Sequence, residues 1–400
     1  MKSISILGST GSIGKNALSV LSTLKNNFSV YGISCNTNIL EFYNQIKIFN
    51  PKKAVITDIE KYNDFIDLYG SKISSTEILY GDDGLKDITS HNDVDVVLAA
   101  IVGFKCLKPV INAINNNKNI IIANKEILVS AGDVIMLELK KSKAKLLPID
   151  SEHNALLQVI ISSGLEYKIN DSDYYKSKIR NLTITASGGP FIDLDITDFK
   201  KIKSSDAIKH PTWDMGKKIS VDSSTMMNKG LEIIEAKVLF NLDVKNINAI
   251  VHRQSKIHAL VEFYDGTTIA HLSQPDMKIP ISYALTYPER VYKSNGNVFE
   301  YEDLTFDIIP YDKFPCYKIA RIVAQTGKNT GLILNAANEI SVEYFLNDKI
   351  RFVDIPDIIQ NVLDNADIKS HDNIESILDN DMEIRVITEN IIKDKYGTIK

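Results

Sequence analysis

Cysteine is scarce in this chain. There are three in 400 residues, Cys35, Cys106 and Cys316, scattered without metal-type spacing. That pattern excludes a disulfide framework and a thiolate metal centre, and it fits a reducing compartment. Excess positive charge is also missing: the formal net charge is −5 and the pI about 5.9. Neither nucleic acid nor an anionic membrane is therefore an expected partner. No apolar run is long enough to span a bilayer. Met1-Lys2 leads straight into Ile4–Leu7, so no signal or transit segment is expected and a cytoplasmic location is. Tryptophan occurs once, at Trp213. What remains is 44% hydrophobic and 24% charged, which suits two or three globular domains with cores of their own.

The first 150 residues alternate short apolar runs with helical patterns. The runs Ile4–Leu7, Val30–Ser34, Ala54–Thr57, Val94–Ala99, Asn119–Ala123 and Lys145–Ile149 suit buried parallel strands. Helices are expected between them, for example over Gly14–Leu24 and Ile39–Phe49. The expected fold class is α/β, with a Rossmann-like doubly wound N-terminal domain at 1–150. From 151 to 290 strand-like runs follow one another more closely: Ile179–Ala186, Ile247–Arg253, His258–Tyr264 and Thr268–Leu272. An α+β catalytic domain is expected there, with a hairpin turn at Tyr264-Asp265-Gly266-Thr267. A polar connecting arm covers 291–312. A C-terminal bundle at 313–400 is expected to hold four helices, over Tyr317–Thr326, Leu332–Phe345, a third begun at Asp354-Ile355-Pro356, and Asn373–Lys395.

Several segments carry chemistry. Gly8-Ser9-Thr10-Gly11-Ser12-Ile13-Gly14 lies between the first strand and first helix. Glycines there let backbone N–H groups and a helix N-terminus meet a pyrophosphate, the alternative being a plain turn. The second strand ends in Asn36-Thr37-Asn38 without the acidic residue that holds a ribose 2′-hydroxyl. That favours NADPH over NADH, unless the loop has no preference. Asn124-Lys125-Glu126 sits at a strand's carboxyl end, where ligands bind in open α/β sheets. Lys125 is placed to meet a substrate oxygen, and Glu126 either binds or caps a helix. In Asp150-Ser151-Glu152, an extended backbone would bring the two carboxylates to one side. Hard oxygen donors suit Mg²⁺ or Mn²⁺. The alternative is a helix cap starting the helix near Asn154. Ser187-Gly188-Gly189 is either an anion cradle or a tight turn.

The densest mixture runs from His210 to Ala236. Trp213 and Met215, between Pro211 and Gly216, read either as a lid over a substrate (about 207–217) or as an ordinary core pair. Asp222-Ser223-Ser224 reads as a helix N-cap cluster. Ser223, Asn228 and Lys229 supply phosphate donors. Glu232, one turn beyond Asn228, is a third metal carboxylate. Glu235 is expected at solvent or in a salt bridge.

Taken together, Gly8–Gly14, Ala123–Glu126, Pro148–Asn154, Ser187–Phe191, His210–Ala236, His252–His258 and Leu334–Glu339 resemble the 1-deoxy-D-xylulose 5-phosphate reductoisomerase family over essentially the whole chain. The resemblance implies a homodimeric enzyme of non-mevalonate isoprenoid biosynthesis. It would use NADPH and a divalent metal (Mn²⁺, Mg²⁺ or Co²⁺) to turn 1-deoxy-D-xylulose 5-phosphate into 2-C-methyl-D-erythritol 4-phosphate, and would be inhibited by the phosphonate fosmidomycin. It implies Asp150, Glu152 and Glu232 as metal ligands, and Ser187, Ser223, Asn228 and Lys229 as the phosphate grip with His210 nearby. Ser151 and Lys125 would meet substrate oxygens, and Trp213 and Met215 would belong to the lid. Gly8, Thr10, Gly11, Ser12, Ile13, Asn36, Asn38, Asn124, Lys125, Glu126 and Gly216 are the expected cofactor contacts. Many members carry a basic residue where Asn36-Thr37-Asn38 stands, so a weaker NADPH preference is expected. Two other readings remain: another NADP-dependent dehydrogenase of a phosphorylated or carboxylated small molecule, whose covalent types need a catalytic cysteine, and a non-enzymatic nucleotide sensor or scaffold.

Overall fold

A computed structural model describes residues 1–209, 216–294 and 303–397, which fall into two compact units. The first comprises Met1–Ile127, Ile135–Asn154 and the stretch from Asp276. Seven strands build it: β1 (Lys2–Leu7), β2 (Phe28–Cys35), β3 (Lys53–Ile56), β4 (Glu77–Tyr80), β5 (Val96–Ala99), β6 (Asn119–Ile122) and β7 (Leu146–Pro148). All pair in parallel, in the order β4-β3-β2-β1-β5-β6-β7. Strand order reverses between β1 and β5, and an open α/β sheet offers its ligand crevice at such a switch point.

The crossovers are α1 (Ser12–Thr23), α2 (Ile39–Phe49), α3 (Ile59–Tyr69), α4 (Gly81–Ser90), α5 (Leu107–Asn115) and α6 (Lys125–Lys141). Asn38, Asp58 and Asn124 begin α2, α3 and α6 by accepting a first-turn N–H on the side-chain oxygen. Ile4, Ile6, Val97, Leu98 and Ile120 are buried, as strands covered on both faces require. Six of the seven strands match the apolar runs. β4 was not expected, because Glu77-Ile78-Leu79-Tyr80 is a short edge strand with a half-exposed, mixed pattern.

The second unit comprises Leu128–Val134, Ala155–Pro275 and the described residues from 303. Its sheet holds β8 (Ile179–Ala186), β9 (Ile247–Val251), β10 (Ile257–Phe263), β11 (Thr268–Leu272) and β12 (Asp307–Ile308), in the order β11-β10-β8-β9-β12. β8 and β9 run parallel and the other pairs antiparallel. The expected hairpin is present: Gly266 has φ +88° and Asp265 Oδ1 accepts the Thr267 N–H at 2.8 Å. Residues 307–308, expected as part of the arm, are the edge strand β12.

Helices α7 (Ser151–Ser162), α8 (Ser172–Lys176), α9 (Ser204–Ala207), α10 (Lys217–Ser224) and α11 (Met227–Phe240) precede or interrupt this sheet in sequence, and α12 (Lys278–Thr286) belongs to the first unit. The bundle helices are α13 (Pro315–Thr326), α14 (Thr330–Leu346), α15 (Asp354–Asn365) and α16 (Ile374–Tyr396), close to the expected bounds.

Helix α11 is buried over most of its circumference, so it must be walled in by neighbours. α13 supplies one wall. A Cβ on Gly230 would lie 2.4 Å from Ala320 Cβ, so glycine permits this close helix approach. Gly230→Leu is therefore expected to lower stability by about 1–3 kcal/mol through over-packing. Gly70→Ala, at φ −54° with ordinary contacts, should be neutral. Urea unfolding midpoints distinguish the two, and equal midpoints would refute the close-packing account.

Candidate functional site

In the first unit the glycine-rich turn joins β1 to α1. Gly8 has φ +83°, and a Cβ there would sit 2.8 Å from Ala100 O. A Cβ on Gly14 would lie 2.4 Å from Gly8 O. The turn is thus folded onto its own helix with no room for a side chain at either end. No side chain caps α1, whose N-cap is Gly11. Gly11 and Ser12 are exposed, and Thr10 and Ile13 half-buried, which leaves the helix N-terminus facing solvent as a place for an anion.

Sequence reasoning missed what holds this turn. Ser34 Oγ accepts the Gly8 N–H at 2.9 Å. Ser9 Oγ donates to Gln45 Oε1 at 2.6 Å, and Gln45 Nε2 donates to Ser9 O at 3.0 Å. These partners are 26 and 36 residues apart, so no local spacing announces them. Asn36 and Asn38 are exposed beyond β2. Asn36 Oδ1 accepts from Thr57 Oγ1 at 3.1 Å, and Asn38 Oδ1 caps α2.

At the ends of β6 and β7 the structure brings together residues far apart in sequence. β6 and β7 are adjacent and parallel, so Lys125 and Asp150 emerge side by side. They form an ion pair with both side chains 12% exposed. Asn124, expected to bind cofactor, spends its amide elsewhere. It donates to Ile101 O at 2.6 Å and Gly103 O at 2.7 Å, and accepts from Ile127 N at 2.9 Å. Its side chain ties the turn after β5 to the start of α6. Glu126 is buried in the first turn of α6.

The extended geometry expected for Asp150-Ser151-Glu152 is not observed. α7 begins at Ser151, and Asn154 N donates to Asp150 O at 2.8 Å. The chain turns into a helix here, so strand alternation no longer governs Glu152. Glu152 instead projects from the first helical turn, and Ser151 Oγ donates to its Oε2 at 2.6 Å.

In the second unit, Ser187 follows β8 in a turn with Gly188 at φ +94° and Gly189 at φ +67°. A Cβ on Gly189 would meet Ser223 O at 2.7 Å. The glycines thus let the Ser187 turn lie directly on Ser223, 34–36 residues away in the chain. The N-cap expectation for Asp222-Ser223-Ser224 is corrected. These residues form the last turn of α10, whose N-cap is Gly216. Ser224 Oγ donates back to Ser220 O and across to Ala207 O, each at 2.8 Å. The cap-type side chains bond backward along the helix, a competing option for Ser.

Helix α11 starts after Met226 at φ +59°, without a side-chain cap. Its first turn carries Asn228 and Lys229, and both donate to the carboxylate of Glu232, one to each oxygen. Glu232 is 1% exposed. The i,i+4 and i,i+3 spacings put all three on one face. Glu235, expected at solvent or in a salt bridge, is buried. His210, Trp213 and Met215 lie outside the described residues. Gly216 is exposed at the start of α10.

The arrangement thus offers an anion-seeking turn and the Asp150 and Glu152 carboxylates in the first unit, and in the second the buried Glu232 carboxylate and a serine-glycine turn packed on Ser223. The cysteines take no part: all three are buried. Burial pushes the thiols of Cys35 and Cys106 up to about 12 and raises that of Cys316 as well. A covalent thiolate mechanism therefore has no nucleophile.

Known proteins share both sequence and fold with this chain. A family model described as 1-deoxy-D-xylulose 5-phosphate reductoisomerase matches residues 4–132. Two models of C-terminal domains from the same family match residues 146–240 and 272–387. The 1-deoxy-D-xylulose 5-phosphate reductoisomerase of Clostridium perfringens (strain 13 / Type A) is 42% identical over 403 residues, covering 99% of this chain and 100% of that protein. A crystal structure of DOX-P reductoisomerase in complex with NADPH, fosmidomycin and magnesium has a TM-score of 0.91 at 38% identity, covering 98% of each chain. The Zymomonas mobilis enzyme in complex with NADPH has a TM-score of 0.87 at 33% identity, covering 98% of this chain and 99% of that one.

The buried thiols generate a direct expectation. At pH 8 a thiol reagent should label the folded protein far more slowly than the denatured one, in which all three cysteines react. Rapid labelling of the native state with loss of activity would restore the covalent reading.

Proposed function

The chain belongs to the 1-deoxy-D-xylulose 5-phosphate reductoisomerase family, and on that premise we propose how its residues divide the work. The protein is an NADP-dependent oxidoreductase of isoprenoid precursor biosynthesis. It rearranges 1-deoxy-D-xylulose 5-phosphate and reduces the product to 2-C-methyl-D-erythritol 4-phosphate, using NADPH and a divalent metal. When bound, NADPH supplies the hydride and the cation supplies Lewis acidity toward the substrate's oxygens.

The turn Gly8–Gly14 and the N-terminus of α1 take the cofactor's pyrophosphate, in line with the absence of room for side chains at Gly8 and Gly14. Asn36 and Asn38 offer amides rather than a cation to the 2′-phosphate. Asp150, Glu152 and Glu232 are the metal ligands in this scheme. Oxygen ligands without sulfur fit a hard cation such as Mg²⁺, Mn²⁺ or Co²⁺. Lys125, paired with Asp150, and Ser151 meet the substrate's reacting oxygens.

Ser187, Ser223, Asn228 and Lys229 grip the phosphate, which does not react. Its binding energy orients the reacting end and closes the His210–Gly216 lid, with Trp213 and Met215 over the substrate. The observation that carries this reading is the grouping in the second unit. Glu232 is held by Asn228 and Lys229, and the Gly188-Gly189 turn lies on Ser223 in the same unit.

In this scheme residues 1–150 bind nucleotide, 151–290 perform the chemistry, and 313–400 buttress it. The enzyme acts as a cytoplasmic homodimer. Three buried thiols without a disulfide suit a reducing compartment, and the open edge of β11 is a surface a second copy could extend. No described helix is long and apolar enough to cross a membrane.

NADPH oxidation with 1-deoxy-D-xylulose 5-phosphate should require Mg²⁺ or Mn²⁺ and should proceed with a reduced but measurable rate on NADH. Glu232→Gln should lower turnover by at least about 100-fold and weaken metal binding, while NADPH titrated by fluorescence binds as in the parent. Full turnover in that variant would sink the metal assignment.

A further inference from the structure

The segment Leu334-Asn335-Ala336-Ala337-Asn338-Glu339 marks the family resemblance yet has no part in the chemistry above. It lies within α14, where Asn335 and Asn338 are fully buried. Asn338 Nδ2 donates to Asp222 Oδ1 at 2.8 Å, across 116 residues of sequence. Asp222 is 1% exposed and also pairs with Lys218 at 2.8 Å along α10. The next residue is Ser223. Asn338 Oδ1, by contrast, is buried without a hydrogen-bond partner among the described residues. A bare buried carbonyl costs stability, so this amide is poorly explained by stability alone.

We propose that Asn338 and Asp222 form a clasp that positions Ser223 for the substrate's phosphate. The inference rests on the phosphate-grip reading given above. α10 runs from Lys217 to Ser224, so Ser223 lies in its last turn. Ser224 Oγ holds the last turn of this eight-residue helix to Ala207 O at 2.8 Å, and Asn338 adds a second tie on the Asp222 side. The clasp fixes its last turn to α14. α14 is fixed in turn to α16: Arg385 donates to Glu339 Oε2 at 2.5 Å and to Asp381 Oδ2 at 2.7 Å. The pair reaches across from the bundle to the residue beside the grip, and touches neither cofactor nor reacting atoms in this scheme. Asn338 and Asp222 are positioning residues.

Asn335 is the internal control. It is equally buried and sits on the same helix, and its Oδ1 is equally bare. Its amide donates to Glu339 at 3.2 Å within α14 instead of to α10. A purely structural role for the motif predicts the same consequences at both positions. A clasp predicts a split.

The test compares Asn338→Ala, Asn335→Ala and Ser223→Ala in the full-length enzyme. The readouts are KM and kcat for the sugar phosphate, inhibition by inorganic phosphate, NADPH affinity and thermal midpoint. Asn338→Ala should raise KM and weaken phosphate inhibition by roughly tenfold or more, as misplaced binding groups do. kcat should fall less than about threefold and NADPH affinity should hold, since the clasp acts on the phosphate end alone. Asn335→Ala should lower the thermal midpoint without moving KM. If Asn338→Ala does not fold, Asn338→Leu removes the same bond without opening a cavity and carries the same expectations. An unchanged KM in the Asn338 variant, or equal KM shifts at 335 and 338, overturns the clasp. If Ser223→Ala leaves phosphate inhibition intact, it is the phosphate-grip reading that fails instead.

Discussion

Burial of the Glu232 carboxylate is the constraint on which much of the second unit depends. A charge taken out of water must be paired and hydrogen-bonded, and removing one partner of such a pair costs about 3–5 kcal/mol. α11 meets the requirement from its own first turn, with Asn228 and Lys229 on the two carboxylate oxygens. The pairing demands that water be kept away, and the wall is built closely. Gly230 lets α13 approach, and Pro315 starts α13 where an N–H is dispensable. The bundle is thus part of the site's environment and not only an appendage.

The first unit solves a different problem by a related device. A pyrophosphate needs unspent N–H groups held still. Gly8 and Gly14 bring the turn against Ala100 and its own helix, and Ser34 and Gln45 fix its backbone from neighbouring elements. Asn124 performs the same service one crossover away, tying the turn after β5 to the start of α6.

Much of this was legible in the chain. Six of seven parallel strands showed as apolar runs because strands covered on both faces need apolar residues at nearly every position. The start of the third bundle helix followed from Asp354-Ile355-Pro356, and the hairpin from Asp265-Gly266. Ser187, Ser223, Asn228, Lys229 and Glu232 stood out as site candidates because they crowd into short segments. The failures have local causes. β4 is an exposed edge without a run. Asp222 and Ser224 looked like caps because the side chains that cap helices also bond backward within them. Asp150 and Glu152 read equally as neighbours on an extended strand or as a helix cap, and the chain turns to helix already at Ser151.

The sequence by itself determined the alternation of strand and helix, the glycine positions no side chain can occupy, and the inventory of oxygen ligands, because each is dictated by period, backbone sterics or residue type. Tertiary structure alone decided which of those groups are held and by what. The pairing of Lys125 with Asp150 follows from β6 and β7 lying side by side. The contact of Gly189 with Ser223, and that of Asp222 with Asn338, join segments 34 and 116 residues apart. Such partners leave no periodic trace in the chain, because the distance between them in space is set by packing and not by spacing.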